Sequence, residues 1–380
     1  MRVALVHDWL VTMGGAERVL EVLAELYPDA PIYTGVVDYR ALSPTLQKRK
    51  IIPSLVQGWP RATRWYNRYL PGLAYAMEQF DLRAYDVVIS SSSAVAKGVL
   101  TPAETLHVSY VHTPMRYAWD LYPVYYHEEA RGLTRRLMGP VFHYLRLWDR
   151  LSADRVDVMV ANSHTVQQRI QKHYRRSASV IYPPVAVDRL TVNPVPGRYY
   201  LVLSRLVRYK RVDLAVLAAN RLREPLVVAG DGPERKALER LAGPTVRFVG
   251  RISEPEKIRL MQEAKALIFP GEEDFGIVPV EMQAVGRPVI AFGRGGVLDT
   301  VKPGETGWFF AEQSVDAVVE AIKSGDRVNW DPELIRRHAL AFGTDRFRDE
   351  FSLLMKRALA RESPDDRIRL ETRVKDGDRG

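Results

Sequence analysis

The stretch 266–292 limits what this chain can fold into more tightly than any other. Ala266-Leu-Ile-Phe269 is a short apolar run, as a parallel strand buried on both faces requires. Pro270-Gly271 ends it, Glu272, Glu273 and Asp274 form a loop, and Gly276 precedes a helix expected from about Val278. Pro279 suits the first turn of that helix, where its missing N–H costs nothing. Gly286 and Pro288 stop the helix, and Val289-Ile-Ala-Phe292 is the next strand. Strand, glycine loop, helix, strand is one repeat of an open α/β sheet, and such sheets bind ligands beyond the C-terminal ends of their strands. There Glu273, in the loop, and Glu281, on the helix, flank the free N–H groups of Asp274-Phe275-Gly276-Ile277. Amides and the helix dipole attract an anion, and carboxylates accept hydrogen bonds from sugar hydroxyls. The pattern suits a polyhydroxylated, phosphorylated ligand, although either acid taken alone reads as an ordinary solvated residue.

Other stretches repeat the theme. Arg2-Val-Ala-Leu-Val6 reads as a strand, and it leads through His7 and Asp8 to Gly14-Gly15 and a helix carrying Val19, Leu20, Val22, Leu23 and Leu26. A glycine pair between strand and helix can cradle a phosphate, and it can equally be a tight turn. It is not the dinucleotide fingerprint, since no Gly-x-Gly-x-x-Gly is present. Ser90-Ser-Ser-Ser93 after the strand Tyr85–Ile89 allows either close approach to a ligand or a plain loop and cap. Leu106-His-Val-Ser-Tyr-Val111 is a strand with His112 at its C-terminal end. Tyr199-Tyr-Leu-Val-Leu203 leads into a loop with Arg205 and Lys210 just before another helix. Two fixed cations there suit a diphosphate and the charge that grows on it as a leaving group.

With 380 residues the chain has room for two domains. Consecutive Pro183 and Pro184 form a stiff linker. We therefore expect domains at 1–185 and 186–344, a last helix at 345–360, and a charged, disordered tail at 361–380. The absence of cysteine excludes disulfides, thiolate-bound zinc and thiol nucleophiles. No apolar run is long enough to span a bilayer, and the first residues read as a strand rather than a leader, so a cytoplasmic protein is expected. The net charge of +9 is concentrated early, with 23 Lys and Arg against 17 Asp and Glu in residues 1–190. Trp59 to Tyr75 mixes aromatics with Arg61, Arg64 and Arg68. From Tyr122 to Asp154 arginines 131, 135, 136, 146 and 150 lie among Leu133, Leu137, Val141, Phe142, Leu145 and Leu147. That second segment reads first as a helix packed on a core, and otherwise as a contact with anionic lipid at the membrane's inner face. No nucleic-acid motif accompanies the charge.

Taken together these motifs resemble the retaining glycosyltransferases of family 4, which have the GT-B fold. Their signature is two glutamates separated by seven residues, followed by Gly-x-Pro-Val-Ile/Val-Ala. Glu273, Glu281 and Gly286-Arg-Pro-Val-Ile-Ala291 match it. The likeness extends over most of the chain, including Ala161-Asn-Ser163 and Gly230-Asp-Gly-Pro233. His112-Thr-Pro-Met-Arg-Tyr117, with Trp119 and Asp120, is similar to the mannosyl- and rhamnosyl-transferring branch.

The resemblance implies an α/β, GT-B protein with two Rossmann-like domains facing across a cleft, the acceptor on the first and the donor on the second. It implies that Arg205 and Lys210 bind the donor diphosphate, Glu273 the sugar hydroxyls and Glu281 the ribose. Arg251 and Ile252 would meet the nucleobase, Gly14 and Gly15 would line the cleft, and His112 would support the transferred sugar. Asp274, Phe275, Gly276 and Ile277 complete the donor loop. The implied reaction moves a hexosyl group from a nucleotide sugar to a glycan or lipid-linked acceptor. GDP-mannose is the favoured donor, with UDP- and dTDP-sugars open, and no metal is required, since no Asp-x-Asp pair accompanies the cations. An epimerase or hydrolase on the same fold, or a carbohydrate- or membrane-binding protein without turnover, are the competing readings.

Overall fold

The computed structural model describes residues 1–124, 126, 132–193, 195 and 197–361. The tail beyond 361, and Arg131 in the basic segment, lie outside these residues. The chain forms two compact units, one of Met1–Ile181 together with the chain from Phe347 on, the other of Tyr182–Arg346. The sequence reading puts the break at 185/186, and the packing puts it between Ile181 and Tyr182.

The first unit is built on a seven-stranded sheet: β1 Val3–His7, β2 Ile32–Thr34, β3 Ile51–Pro53, β4 Val87–Ser92, β5 Leu106–Val111, β6 Val158–Ala161 and β7 Ser179–Val180. All pairs are parallel, in the order β3-β2-β1-β4-β5-β6-β7. Strands covered on both faces must be apolar almost throughout, and β1, β4 and β5 are buried at every position. The strand order reverses between β1 and β4, so a crevice opens beyond their C-terminal ends. Register pairs His7 with Ser91 across those two strands. The last helix, Thr344–Arg361, places Phe347, Phe351 and Met355 in this unit's core, four residues apart on one face.

The second unit repeats the plan with β8 Tyr199–Leu203, β9 Leu226–Ala229, β10 Val246–Gly250, β11 Ala264–Phe269, β12 Val289–Phe292 and β13 Gly307–Phe310. The order is β10-β9-β8-β11-β12-β13, again all parallel, and the reversal lies between β8 and β11. The loops after β8 and β11 carry Arg205, Lys210 and Glu273, so topology alone brings distant stretches of sequence to one place. Among the described residues no helix is long and apolar enough to cross a membrane.

Candidate functional site

In the second unit the loop after β11 is shaped by glycine. Gly276 sits at φ +89°, the left-handed region that a side chain disfavours, and caps the helix Ile277–Ala284. A Cβ on Gly271 would come within 2.9 Å of the Lys210 Cα, so the loops after β8 and β11 touch backbone to backbone there. Gly230 and Gly232 do the same for the Arg205 loop: a Cβ on either would strike the carbonyl oxygen of Ser204 or Leu206 at 1.8 Å or 2.2 Å. The Gly230-Asp-Gly232 element is thus a support for the cationic loop.

On this frame the Lys210 ammonium pairs with the Glu273 carboxylate, and both line a small pocket with Ser204, Phe269 and Gly271 at the ends of β8 and β11. Arg205 is exposed on the same loop. Glu281 is buried and accepts from the Lys257 ammonium at 2.9 Å, which also meets Glu254 at 2.7 Å. The Gly295 backbone bridges Glu273, and the Gly296 N–H donates to the Glu273 carbonyl at 2.8 Å. Arg251 is exposed and lies 3.7 Å from Asp231, while Ile252 packs against the core. The Phe275 side chain is a core residue packed against Tyr182 and Phe342, which leaves only its backbone for a ligand.

The first unit holds a different kind of site. His112 Nε2 is 2.8 Å from Ser91 Oγ, which is 3.1 Å from His7 Nδ1. His7 Nε2 lies 3.7 Å from Glu17, a charge contact rather than a tight hydrogen bond. Glu17 in turn accepts from the Gly14 N–H at 2.8 Å, the N3-to-N-cap half of a capping box on the helix Gly15–Leu26. The Gly14 amide, expected to help cradle a phosphate, is therefore already occupied by a carboxylate of the chain itself. Burial raises the Glu17 carboxyl, but the His7 contact and the amides more than offset this and hold it below its usual range.

Asp8 behaves in the same way. Its buried carboxylate accepts from the backbone N–H groups of Ser93, Ala94, Val95 and Ala96 at 2.6–3.0 Å, and from the Ser93 hydroxyl at 2.8 Å. Four successive amides form a nest that could hold an anion, and Asp8 fills it. The serine run is neither a bare ligand surface nor a plain loop. Ser90 holds His107 at 2.9 Å, Ser91 holds His112, and Ser93 holds Asp8. Behind it Lys97 and Asp149 form a buried pair, with Asp149 also accepting from Trp119 Nε1 at 2.7 Å and the Tyr174 hydroxyl at 2.9 Å.

Burial pushes the imidazoles of His107 and His112 down to about 4, and His7 adds to the effect on His112. Both are therefore neutral near pH 7, and His112 keeps one protonated and one unprotonated nitrogen. The linkage has a definite sign. A histidine whose folded pKa lies below its unfolded value of about 6.5 contributes full stability above that value and loses it as pH falls toward the folded value. Between pH 7.5 and 4.5 each should cost about 2–3 kcal/mol of unfolding free energy. Urea midpoints across that range test this. His107→Gln should remove a substantial part of the slope, and a flat wild-type profile would show that the two rings are not held neutral.

Sequence reasoning gave no part in the candidate sites to Lys257, His7, Glu17 or Asp8, and offered Ser91 only as one of a serine run open to a ligand. The signal for Glu17 was available as Gly14-x-x-Glu17 before an apolar run, a capping-box spacing. Among the described residues no group of three His, Asp or Glu is placed to hold a metal ion.

Two Rossmann-like units, with cations and a glycine-capped helix at the switch point of the second, place these residues where open α/β sheets bind ligands. Residues 13–189 match the model of Glycosyltransferase Family 4, and residues 191–325 that of Glycosyl transferases group 1. The chain belongs to this glycosyltransferase family. It is similar to the alpha-1,3/1,6-mannosyltransferase ALG2 of Candida glabrata, 26% identical over 246 residues, or 48% of this chain and 54% of the relative. It is also similar to the GDP-mannose-dependent alpha-(1-6)-phosphatidylinositol monomannoside mannosyltransferase of Mycobacterium tuberculosis, 29% identical over 236 residues, or 54% and 56% of the two chains. The chain thus spans about half the length of the curated relatives it matches. In structure it resembles HepE of Anabaena in complex with UDP and glucose, with a TM-score of 0.69 at 17% identity over 94% of this chain and 99% of that one. The likeness establishes the GT-B fold.

Proposed function

We propose that the protein is a retaining hexosyltransferase that moves a mannosyl group from GDP-mannose to a glycan or lipid-linked acceptor. One observation carries the assignment of ligand to unit. In the first unit the amides of Gly14 and of Ser93–Ala96 are already bonded to Glu17 and Asp8, whereas the second unit gathers Arg205 and Lys210 beside a helix start. An anionic diphosphate is therefore favoured on the second unit, and an acceptor on the first.

In this reading Lys210 and Arg205 take the charge that builds on the departing diphosphate, in place of a metal ion. Glu273 accepts from donor-sugar hydroxyls and holds Lys210 in position, while Glu281, steadied by Lys257, accepts from the ribose. Arg251 and Ile252 would meet the nucleobase. His112 supports the transferring sugar as a neutral imidazole oriented by Ser91. Among the described residues the first unit offers no evident carboxylate nucleophile, since Asp8 and Glu17 are spent on amides. A front-face route, in which the leaving phosphate assists removal of the acceptor's proton, fits this arrangement. The two mannosyltransferase relatives support mannose over other sugars, and the acceptor chemistry suits a protein working peripherally at the membrane's inner face.

A thermal-shift panel of GDP-mannose, UDP-glucose and a dTDP-sugar tests the donor. A ligand at a hundredfold excess over its Kd stabilises the folded state by about 2.7 kcal/mol. GDP-mannose should give the largest shift. A larger shift with UDP-glucose would replace the donor, and no shift with any would remove the reading.

A further inference from the structure

Four side chains of the first unit stand in one row. Glu17 faces His7 Nε2, His7 Nδ1 faces the Ser91 hydroxyl, and that hydroxyl faces His112 Nε2, at 3.7, 3.1 and 2.8 Å. All four are buried, so bulk water does not reorient them. A histidine's tautomer then follows from the bonds of its two nitrogens. Glu17 accepts the Gly14 N–H through Oε2 and turns Oε1 to His7. Burial raises this carboxyl, but His7 and the amides hold it below its usual range, so it is anionic near pH 7. An anion favours the His7 proton on Nε2, because a lone pair there would face its charge. A neutral His7 then offers a lone pair at Nδ1, to which the Ser91 hydroxyl donates. The Ser91 oxygen is left as an acceptor, and its bond to His112 needs a proton on Nε2. Burial keeps the His112 ring neutral near pH 7, so Nδ1 carries none. Asp8, the other buried carboxylate of this region, does not compete, since its oxygens are filled by the amides of Ser93 to Ala96.

We infer that Glu17, His7 and Ser91 are positioning residues that fix the His112 proton on Nε2 and leave Nδ1 as the lone pair that meets the transferring sugar. The His112 ring is 9% exposed, and among the described residues its Nδ1 makes no hydrogen bond. A lone pair at that point accepts from a sugar hydroxyl. It also faces favourably the positive charge that builds on a sugar as its bond to the leaving group breaks, which an N–H would oppose. His107 supplies the contrast. It makes the same serine contact, from Nε2 to Ser90, but its Nδ1 is sealed inside the unit without a partner, and the row from Glu17 does not reach it. The role at the sugar rests on the proposed reading of His112, whereas the place of the proton does not.

Nitrogen NMR on the full chain with labelled histidine tests it, since the shift of a ring nitrogen tells whether it carries a proton. Spectra belong at pH about 8, above the ordinary histidine pKa of about 6.5. The His112 signals are those lost in His112→Gln. Wild type should show the proton on Nε2. In Glu17→Gln the amide oxygen keeps the Gly14 bond, as a capping box permits, and the NH2 group faces His7. Every donor in the row then reverses: His7 carries its proton on Nδ1, Ser91 donates to His112, and the His112 proton moves to Nδ1. The His107 signals should stay where they are. Ser91→Ala cuts the row, so His112 should show a mixture of tautomers that does not respond when Glu17→Gln is added. A wild-type proton on Nδ1, or a His112 tautomer unmoved by Glu17→Gln, overturns the inference. Should Glu17→Gln fail to fold, an unchanged Nε2 proton in Ser91→Ala does so alone. In kinetics Glu17→Gln should lower kcat about tenfold and leave donor KM within about twofold. If the tautomer reverses and kcat holds, the sugar contact of His112 is removed, and with it that part of the proposed function, while the fixed proton stands.

Discussion

Lys210→Ala is expected to lower turnover by about 100- to 1000-fold, the usual cost of removing one group that stabilises developing negative charge. The leaving diphosphate gains charge as the glycosidic bond breaks, so the loss should appear more in kcat than in donor KM. Stability should change far less. Lys210 and Glu273 pair at the mouth of a pocket with 14% and 26% of their side chains exposed, and a partly solvated pair contributes about 1 kcal/mol or less. A thermal melt beside the kinetics separates the two effects. Lys210→Arg should keep part of the activity, because a guanidinium retains the charge but not the reach of the ammonium. Turnover within fivefold of wild type in the alanine variant would remove Lys210 from the chemistry and leave it a structural partner of Glu273.

The candidate site of the second unit was legible in the sequence, and for a physical reason. Buried parallel strands are apolar runs, their C-terminal loops need glycine, and the charged residues of those loops stand out against both. The loop holding Glu273 and the helix holding Glu281 could thus be read within one short window, with the helix start misplaced by a single residue. Lys257 was invisible, because a lysine on an exposed-looking helix gives no sign that it bends toward a carboxylate on another element.

The first unit was less legible. His112 could be placed at a strand end, but its partners lie on β1 and β4. Only the strand order, with β4 between β1 and β5 and His7 in register with Ser91, brings the three together. The two faces of the helix Gly132–Ala153, with Leu145 and Trp148 buried and Leu137, Leu147 and Leu151 exposed, were also closed to sequence reasoning, because apolar residues on both faces give the same periodicity as one broad buried face.

Asp8 was likewise passed over, since an acid after a strand is common, yet it should be among the costliest residues to change. Asp8→Ala would leave four backbone N–H groups, three buried and that of Ser93 half-buried, without an acceptor. At 1–3 kcal/mol for each unsatisfied group, the loss should be about 4 kcal/mol or more even after some amides find water. Asp8→Asn is the sharper probe. The amide keeps the shape and one oxygen but turns an NH2 group toward N–H donors, whichever way it flips. Oδ1 now serves Val95 and Ala96, and Oδ2 serves Ser93 and Ala94. We expect about 2–4 kcal/mol lost in urea denaturation, with no loss of volume to confuse the result. Activity should fall further than stability alone predicts, because the nest closes the end of the strand that carries Ser91, and Ser91 holds His112. Donor-induced thermal shift should survive, since the proposed diphosphate site belongs to the other unit. A loss below about 1 kcal/mol for Asp8→Asn would mean that the nest is satisfied by solvent, and that its amides remain open to an anionic ligand after all.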